Sequence, residues 1–279
     1  MSEISSFIRE FDDLPSLSVV VTNIIELYNQ GNVDINALEK ALQKDPNLSI
    51  QVLRLANSPF FGISGEVKSI KDACMIMGLN NVFNLVTAAD VINSINRDDF
   101  HLINSNGFWE HSIATGIATN IILKKVNQED SNAFLIGLLH DIGKLALDSY
   151  RPELFEQVVL YQEANKCSFI EAEKKVTKFT HSELGAEIAN HWNLNKALAD
   201  TILYHHDAAH ITKTPSLSAL HMADFLVKGL DIGSLYNNSI SDFSLRSISN
   251  LGLKLNDLYP LMTEIEKSTK DNNLLELVQ

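Results

Sequence analysis

Apolar residues recur at helical spacing along nearly the whole chain, and this periodicity limits the fold more than any other feature of the sequence. In residues 18–28, for example, the apolar side chains form one broad stripe on a predicted helix. The β-branched run of Val19, Val20 and Val21 leaves a strand as the alternative there. Patterns that alternate between apolar and polar residues are otherwise hard to find. We therefore predict an all-α protein.

Helix-capping residues predict where several of these helices begin and end. Asp34 and Asp45 fit N-cap positions, and Pro46 fits the first helical position. Gly78 is predicted to cap one helix and separate it from the next. The second half is predicted to contain longer helices, at residues 108–125, 131–149, 152–165, 169–175, 181–192, 196–205 and 215–228, with two more after residue 242.

A polar break at residues 96–99 is the predicted centre of a boundary between two helical lobes. We predict an N-terminal lobe of residues 1–100 and a second lobe of residues 101–279. The chain has no Pro-rich or Gly/Ser-rich linker. The two lobes are therefore expected to meet in a rigid helical contact.

Composition and charge exclude several functional classes. Apolar residues make up 45 % of the 279 residues and charged residues 20 %, which suits a packed globular core. No apolar run approaches the roughly 18 residues that span a bilayer, so no membrane partner is expected. The formal net charge of −13 should repel phosphate backbones, so we expect no nucleic-acid partner. Cys74 and Cys167 have neither metal-type nor redox-type spacing and are predicted to be reduced, buried thiols of a cytoplasmic protein.

The sharpest candidate for chemistry is the pair His140 and Asp141, at the end of an apolar helix in residues 135–145. Burying a carboxylate there is costly unless it is paired or bound to a metal. Lys144 lies one helical turn beyond His140, where its cation can face the same cavity and hold a phosphate oxygen. The alternative is a helix end in which Asp141 pairs with Lys144 and His140 packs in the core.

Two later segments add histidines at helix ends. Thr180 and Glu183 have the spacing of a capping box, so His181 begins a helix, and the apolar stripe below it turns His181 toward the core. His181 is there either a ligand or a satisfied core histidine. His205 and His206 end an apolar helix and point about 100° apart. One can be a ligand while the other supports it or binds a phosphate; the alternative is capping of the helix C-terminus by imidazole.

His111 and Asp224 complete the set. His111 shares a helix face with Thr115 and Ala118, small residues that allow another helix to approach closely. Asp224 lies in an otherwise apolar helix, where a buried carboxylate needs a partner. His221, three residues away, is either an alternative ligand or a supporting or surface residue. Nitrogen and oxygen ligands without cysteine suit iron, manganese, zinc, nickel or magnesium.

The order of these residues, together with Gly137-Leu138-Leu139-His140-Asp141-Ile142-Gly143-Lys144, resembles the HD superfamily of helical metal-dependent phosphohydrolases. The closer resemblance is to the HDOD domain, and it covers residues 14–261. The matching motifs are Leu14-Pro15-Ser16-Leu17, Lys44-Asp45-Pro46-Asn47-Leu48, Leu53-Arg54-Leu55-Ala56-Asn57-Ser58, and residues 73–78, 109–112 and 181–192.

The resemblance implies an all-α bacterial signalling protein whose second lobe is an HD-like helical bundle. Asp141 and Lys144 would be its catalytic residues, with Lys144 neutralising a substrate phosphate that a metal-bound hydroxide attacks. It also implies a dinuclear divalent metal site. One metal would be held by His111, His140, Asp141 and Asp224, and the second by Asp141 as a bridge, His181, His205, and His206 as ligand or support.

The related HD-GYP group, which hydrolyses cyclic di-GMP, carries a Gly-Tyr-Pro element after its paired histidines. Here Asp207-Ala208-Ala209 follows His206, so we predict no hydrolysis of cyclic di-GMP. The function we predict is a regulatory module that binds a signalling protein partner or a small phosphorylated ligand. The alternative is a metal-dependent phosphohydrolase acting on a nucleotide or phosphoester. The metal, the substrate and the oligomeric state stay open at this point.

Overall fold

The computed structural model describes residues 16–95, 100–233 and 243–271, and the regular structure in those ranges is entirely helical. The all-α prediction is confirmed. The helices of the first half are α1 (Val19–Asn29), α2 (Ile35–Leu42), α3 (Pro46–Ala56), α4 (Ile70–Met77) and α5 (Leu79–Ser94), with a 3-10 turn at Pro59–Phe61.

The second half begins with the longest helix of the described ranges. Its helices are α6 (Ser105–Lys125), α7 (Ala133–Leu139), α8 (Ile142–Tyr150), α9 (Pro152–Asn165), α10 (Phe169–Val176), α11 (His181–His191), α12 (Lys196–Tyr204), α13 (Pro215–Gly229), α14 (Arg246–Asn250) and α15 (Leu258–Asp271), with a 3-10 turn at Leu255–Asp257. No helix in the described ranges is long and apolar enough to cross a membrane.

Side chains cap the helices where the sequence predicts them. The Asp34 and Asp45 carboxylates each accept a hydrogen bond from the backbone N–H three residues on, at 2.7 and 3.0 Å. The Ser18 hydroxyl caps α1 in the same way, so residues 19–21 are helical rather than extended. The capped first turn and the complete burial of Val21 outweigh the β preference of consecutive valines.

The prediction of one helix over residues 131–149 is wrong, because the structure breaks that segment into α7 and α8. His140 follows the end of α7, and Asp141, at φ −101° and ψ 9°, precedes the start of α8. The reason is tertiary packing. Gly143, in the first turn of α8, lies against the backbone carbonyl of His181, and a Cβ at Gly143 would overlap that oxygen. Helix α8, which follows the break, packs against α11.

The buried apolar side chains of both halves belong to one cluster. Helix α5 packs against α7, and the 3-10 turn Pro59–Phe61 packs against α15, so the first helices contact the second half directly. Helices α6 and α7 cross closely at Gly116 and Gly137, because a Cβ at Gly137 would overlap the backbone of Gly116 and glycine has none. The division into lobes of residues 1–100 and 101–279 stays a prediction. Its polar break at residues 96–99 lies outside the described residues, as do Leu14 and Pro15 of the first motif.

Both cysteines are free, and Cys74 is buried. Cys167 is only half-buried, so the prediction of two buried thiols is wrong for this residue. Cys167 lies in the turn between α9 and α10, and such connections run over protein surfaces.

Candidate metal centre

The side chains that the sequence singles out lie together in the second half. They form two groups whose ligand atoms all lie within 4.8 Å of one another, and Asp141 belongs to both groups. His111 comes from α6, His181 from the first turn of α11, and Asp224 from α13. The groups are His111, His140, Asp141 and Asp224, and Asp141, His181, His205 and His206.

The two oxygens of Asp141 face different groups. Oδ2 lies 3.3 Å from Nε2 of His140 and 3.9 Å from Nε2 of His111. Oδ1 lies 3.2 Å from Nε2 of His181 and 3.8 Å from Nε2 of His205. The break between α7 and α8 thus presents one carboxylate oxygen to each group, an arrangement that a bridging ligand requires.

Hydrogen bonds at the far side of three imidazole rings fix their orientation. The Nδ1–H of His140 donates to the carbonyl oxygen of Gly137 at 2.7 Å, and that of His205 donates to the carbonyl oxygen of Ile202 at 2.6 Å. The Nδ1–H of His181 donates to a carboxylate oxygen of Glu173 at 2.8 Å. Each ring therefore directs Nε2 at the centre, and in the neutral ring Nε2 is the nitrogen that can bind a metal.

These inward-facing atoms are left without donors. Within the described part of the chain, Nε2 of His111, His140, His181 and His205 and Oδ1 of Asp141 are buried and have no hydrogen-bond partner. A buried acceptor without a partner costs about 1–3 kcal/mol. A divalent cation satisfies all these atoms at once. The nitrogen and oxygen donor set therefore fits a metal.

Two ammonium groups lie beside the carboxylates. Lys144 Nζ is 2.7 Å from Oδ2 of Asp141, and Lys228 Nζ is 2.8 Å from Oδ2 of Asp224. The alternative in which Asp141 pairs with Lys144 is thus present, but it occupies one oxygen only and leaves Oδ1 unsatisfied. Lys228 was absent from the sequence prediction. Its position four residues after a buried aspartate on one helix is the signal that could have revealed it.

Burial and the neighbouring charges together set the pKa values of the groups in this centre. Burial favours the neutral acid, yet the charges of His140 and Lys144 hold the pKa of Asp141 well below its usual range. Burial opposes a charged His140, but Asp141 and Asp224 raise its pKa to about 9. Burial and then the neighbouring imidazoles lower the pKa of His205 well below its usual value.

Glu173 is a site residue that the sequence analysis missed. It is fully buried, and besides the Nδ1–H of His181 it accepts the backbone N–H of His181 at 3.0 Å. Its signal was available, because Phe169, Ala172 and Glu173 share the buried face of α10. A carboxylate on an apolar stripe needs a partner, just as Asp224 does.

His221 is buried, and both its ring nitrogens are engaged. Its Nδ1–H donates to the carbonyl oxygen of His205 at 3.0 Å, and its Nε2 accepts the backbone N–H of Ser244 at 3.0 Å. Of the two alternatives for His221, the supporting residue is the one that this geometry fits. His206, in contrast, is half-buried and has an imidazole centroid 4.0 Å from that of His205.

This chain is similar in sequence to a longer protein. A protein of Treponema pallidum (strain Nichols) without an assigned function is 24 % identical over 234 residues, which is 81 % of this chain and 44 % of that protein. The chain thus spans less than half the length of this relative.

Three solved structures share the fold. An HDOD domain protein of unknown function from Geobacter sulfurreducens has a TM-score of 0.77 at 24 % identity, covering 99 % of this chain and 95 % of its own. A candidate phosphohydrolase from Shewanella amazonensis SB2B has a TM-score of 0.75 at 23 % identity, covering 98 % of both chains. A candidate signal transduction protein from Marinobacter aquaeolei VT8 has a TM-score of 0.73 at 20 % identity, covering 95 % of this chain and 59 % of its own.

The match to a family is more direct than these structural likenesses. The sequence profile of the HDOD domain matches residues 14–208, which is most of the chain and includes His111, His140, Asp141, His181 and His205. This chain belongs to the HDOD family.

Proposed function

We propose that this chain is a cytoplasmic regulatory module of bacterial signalling that holds a divalent metal centre in its second half. One observation carries the proposal: buried imidazole nitrogens from several helices converge with Oδ1 of Asp141, and these atoms lack hydrogen-bond partners within the described chain. A domain that used the HD fold only as a scaffold has no physical need for such atoms, since apolar side chains would pack there without cost.

The proposed ligands divide between two metals. The first would be held by His111, His140, Asp141 and Asp224, and the second by Asp141, His181 and His205, with His206 as ligand or support. Several imidazoles in each group favour iron, manganese, zinc or nickel over magnesium, which prefers oxygen ligands.

Burial supports the regulatory role. His140, Asp141 and His205 have no exposed surface, and among the proposed ligands only His206 is not fully buried. A large phosphoester therefore has little access to the centre as it stands. A signalling protein partner or a small phosphorylated ligand is the proposed effector, and the likeness to the Marinobacter protein agrees with a signalling role.

A metal-dependent phosphohydrolase is the second candidate, and one specific observation favours it. Asp141 directs one oxygen at each ligand group, as a bridging ligand of two metals does. Two bound metals would supply a hydroxide nucleophile and polarise a phosphoester. Lys144, whose ammonium lies 2.7 Å from Asp141, is proposed to neutralise charge on the phosphate oxygens.

The test is metal loading followed by a substrate panel. Purified protein is incubated anaerobically with Fe²⁺, Mn²⁺, Zn²⁺ or Ni²⁺, desalted, and analysed for metal by mass spectrometry. We expect tightly bound metal that a chelator removes. Absence of metal after loading with each of the four ions would contradict both candidates.

Loaded protein is then assayed with phosphomonoesters, phosphodiesters, nucleotides and cyclic di-GMP. The regulatory proposal expects no turnover. Hydrolysis of any substrate by wild type, lost in Asp141→Ala, would replace it by the phosphohydrolase. Hydrolysis of cyclic di-GMP would in addition contradict the argument from the missing Gly-Tyr-Pro element.

A further inference from the structure

The two ligand groups of the proposed metal centre differ in their access to solvent. The first group is His111, His140, Asp141 and Asp224, and the second is Asp141, His181, His205 and His206. Every ligand of the first group is at most 2 % exposed. The second group has three ligands that are equally buried, but its fourth, His206, is only half-buried. Solvent therefore meets the centre at His206, which belongs to the second group alone.

The ring of His206 is also held differently from its neighbours. Hydrogen bonds through Nδ1 fix the rings of His181 and His205, at 2.8 and 2.6 Å, and their Nε2 atoms are buried without a partner. The nitrogens of His206 are not among those buried atoms. Its ring packs against the other two, with centroid distances of 4.0 Å to His205 and 5.2 Å to His181. A ring held by such contacts turns more easily than one fixed through Nδ1.

The backbone on both sides of His206 is fixed by contacts of its neighbours. The turn of residues 207–210, which follows His206, lies partly exposed at the surface. Asp207 accepts the Nδ1–H of His210 at 2.8 Å, and the His210 ring stacks on Tyr204 with centroids 4.1 Å apart. The side chain of His206 is therefore the part of this segment that can move without breaking these contacts.

The first group, in contrast, surrounds a point in the core. Oδ1 of Asp224 lies 3.1 Å from Nε2 of His111 and 3.4 Å from Nε2 of His140. Oδ2 of Asp141 lies 3.3 Å from Nε2 of His140 and 3.9 Å from that of His111. Ligands bonded at about 2.0–2.2 Å to one tetrahedral ion are about 3.3–3.6 Å apart. Four buried atoms thus have nearly the spacing that one ion requires.

This difference determines how easily each group could release a metal. A side chain of the first group that let go of an ion would stay buried without a partner, which is costly. His206 would turn into water instead. We infer that the second group is an exchangeable metal site, entered past His206, whereas the first group holds its ion as a resident. The inference rests on the proposed metal centre, and it makes metal supply a regulatory input that interconverts a one-metal and a two-metal form.

The experiment measures the rate at which each ion leaves. Full-length protein is saturated with Zn²⁺, desalted, analysed for metal, and mixed with an excess of a chelator that changes colour on binding Zn²⁺. We expect two phases of equal amplitude, each accounting for one ion per chain. The slow phase should be about 5- to 150-fold slower than the fast phase, the factor that corresponds to a buried polar group left without a partner.

Three variants assign the phases to the groups. His206→Ala should accelerate the fast phase at least about tenfold and leave the slow phase at the wild-type rate. His191→Ala is the matched control, because His191 is exposed at the end of α11 and belongs to neither group; both phases should stay unchanged. Asp224→Asn removes a charged ligand of the first group only, and should accelerate the slow phase about 10- to 100-fold. Circular dichroism of each variant shows that it is folded.

The possible failures are distinguishable. Two bound ions that leave wild type at one rate would overturn the inference and leave the proposed metal centre standing. One bound ion per chain at saturation would do the same, as would a fast phase that folded His206→Ala leaves unchanged, or a slow phase that it abolishes. Absence of Zn²⁺ from wild type after loading would contradict the proposed centre and this inference together.

Discussion

Two buried aspartates, one in each half of the chain, have pKa values that are shifted in opposite directions. Asp90 in α5 accepts the backbone N–H of Ser18 at 2.8 Å, and burial raises its pKa despite that bond. Asp141 is more deeply buried, yet His140 and Lys144 hold its pKa well below the usual range. Burial acts in the same direction on both, so the difference comes from the groups placed around them.

The comparison extends to their surroundings. In the described residues up to 95, the buried polar side chains are few: Ser58, Asn84, Thr87 and Asp90. Around Asp141, imidazoles, carboxylates and ammonium groups are packed in direct contact. Asp90 is explained by the hydrogen bond that it accepts from the backbone N–H of Ser18, the residue before α1. Asp141 has more polar neighbours than folding requires, which is why we assign it a ligand.

Substitution of the two aspartates is the most direct test of this difference, and it has the largest expected effect. We expect Asp141→Asn to lose at least about 90 % of the metal that loaded wild type retains, because an amide removes the charge that offsets the cations. Folding should survive with a stability change of about 1–3 kcal/mol, since the amide keeps the size of the side chain. Asp90→Asn should retain full metal occupancy. Elemental analysis reads the result, and equal, non-zero occupancy in wild type and Asp141→Asn would refute the role of Asp141.

Glu173 tests whether orientation of a ligand matters as well as its presence. Glu173→Gln weakens the hydrogen bond that holds His181, and we expect metal affinity to fall about 10- to 100-fold. The control is Glu171→Gln, because Glu171 lies on the same helix, is exposed, and serves only the capping box with Ser168. Competition with a fluorescent chelator measures both affinities. Equal affinities in the two variants would mean that Glu173 is only a packing residue.

The proton on His140 predicts the pH dependence of metal binding. Its pKa is raised to about 9 in the metal-free centre, whereas a metal ligand must be neutral. Metal binding near pH 7 therefore releases a proton, and apparent affinity should rise by up to about tenfold per pH unit before levelling off above pH 9. Calorimetry in buffers of different ionisation enthalpy counts the released proton. An affinity that stays constant across this range would contradict the assignment of His140.

The raised pKa of His140 also predicts how the stability of the metal-free protein depends on pH. Because the folded pKa of His140 lies above the unfolded value, its stabilising contribution is complete below about pH 6.5 and is lost as the pH rises through about 9. Metal-free protein should thus weaken in mildly alkaline solution, while metal-loaded protein should not. Denaturant midpoints measured with and without chelator at several pH values would show the difference.

Substitution of Asp90 is expected to have the smallest effect on stability, and it tests the other half of the comparison. Its folded pKa is raised, so its contribution is present at pH values below the unfolded pKa and is lost as pH rises through the folded value. Asp90→Asn keeps an acceptor for the Ser18 N–H and removes this titration. We expect stability at pH 7 within about 1 kcal/mol of wild type, and a flatter profile between mildly acidic and neutral pH. A loss much larger than this would show that the ionised carboxylate itself stabilises α1.

Much of this protein could be predicted because its signals are local. Helix N-caps at Asp34 and Asp45 depend on backbone and side chain only a few residues apart, and the structure has them in place. The capping box of Thr180 and Glu183 likewise sets the start of α11 and thereby the position of His181. Burial of Asp224 also follows locally, from its place on an apolar helix.

The ligand types and their order along the chain, with the helices that carry them, were therefore determined by the sequence itself. The tertiary structure alone decided how they meet. The break that turns Asp141 toward both groups depends on a glycine contact with His181, about forty residues away, and the partnership of Glu173 with His181 depends on how α10 and α11 pack. A cavity of about 710 Å³ between the two halves, lined by Phe61 and Asn120 among others, likewise has no local signature, because its walls come from helices that only the packed core brings together. Periodicity reports which face of a helix is buried, but close packing of distant segments decides what that face touches.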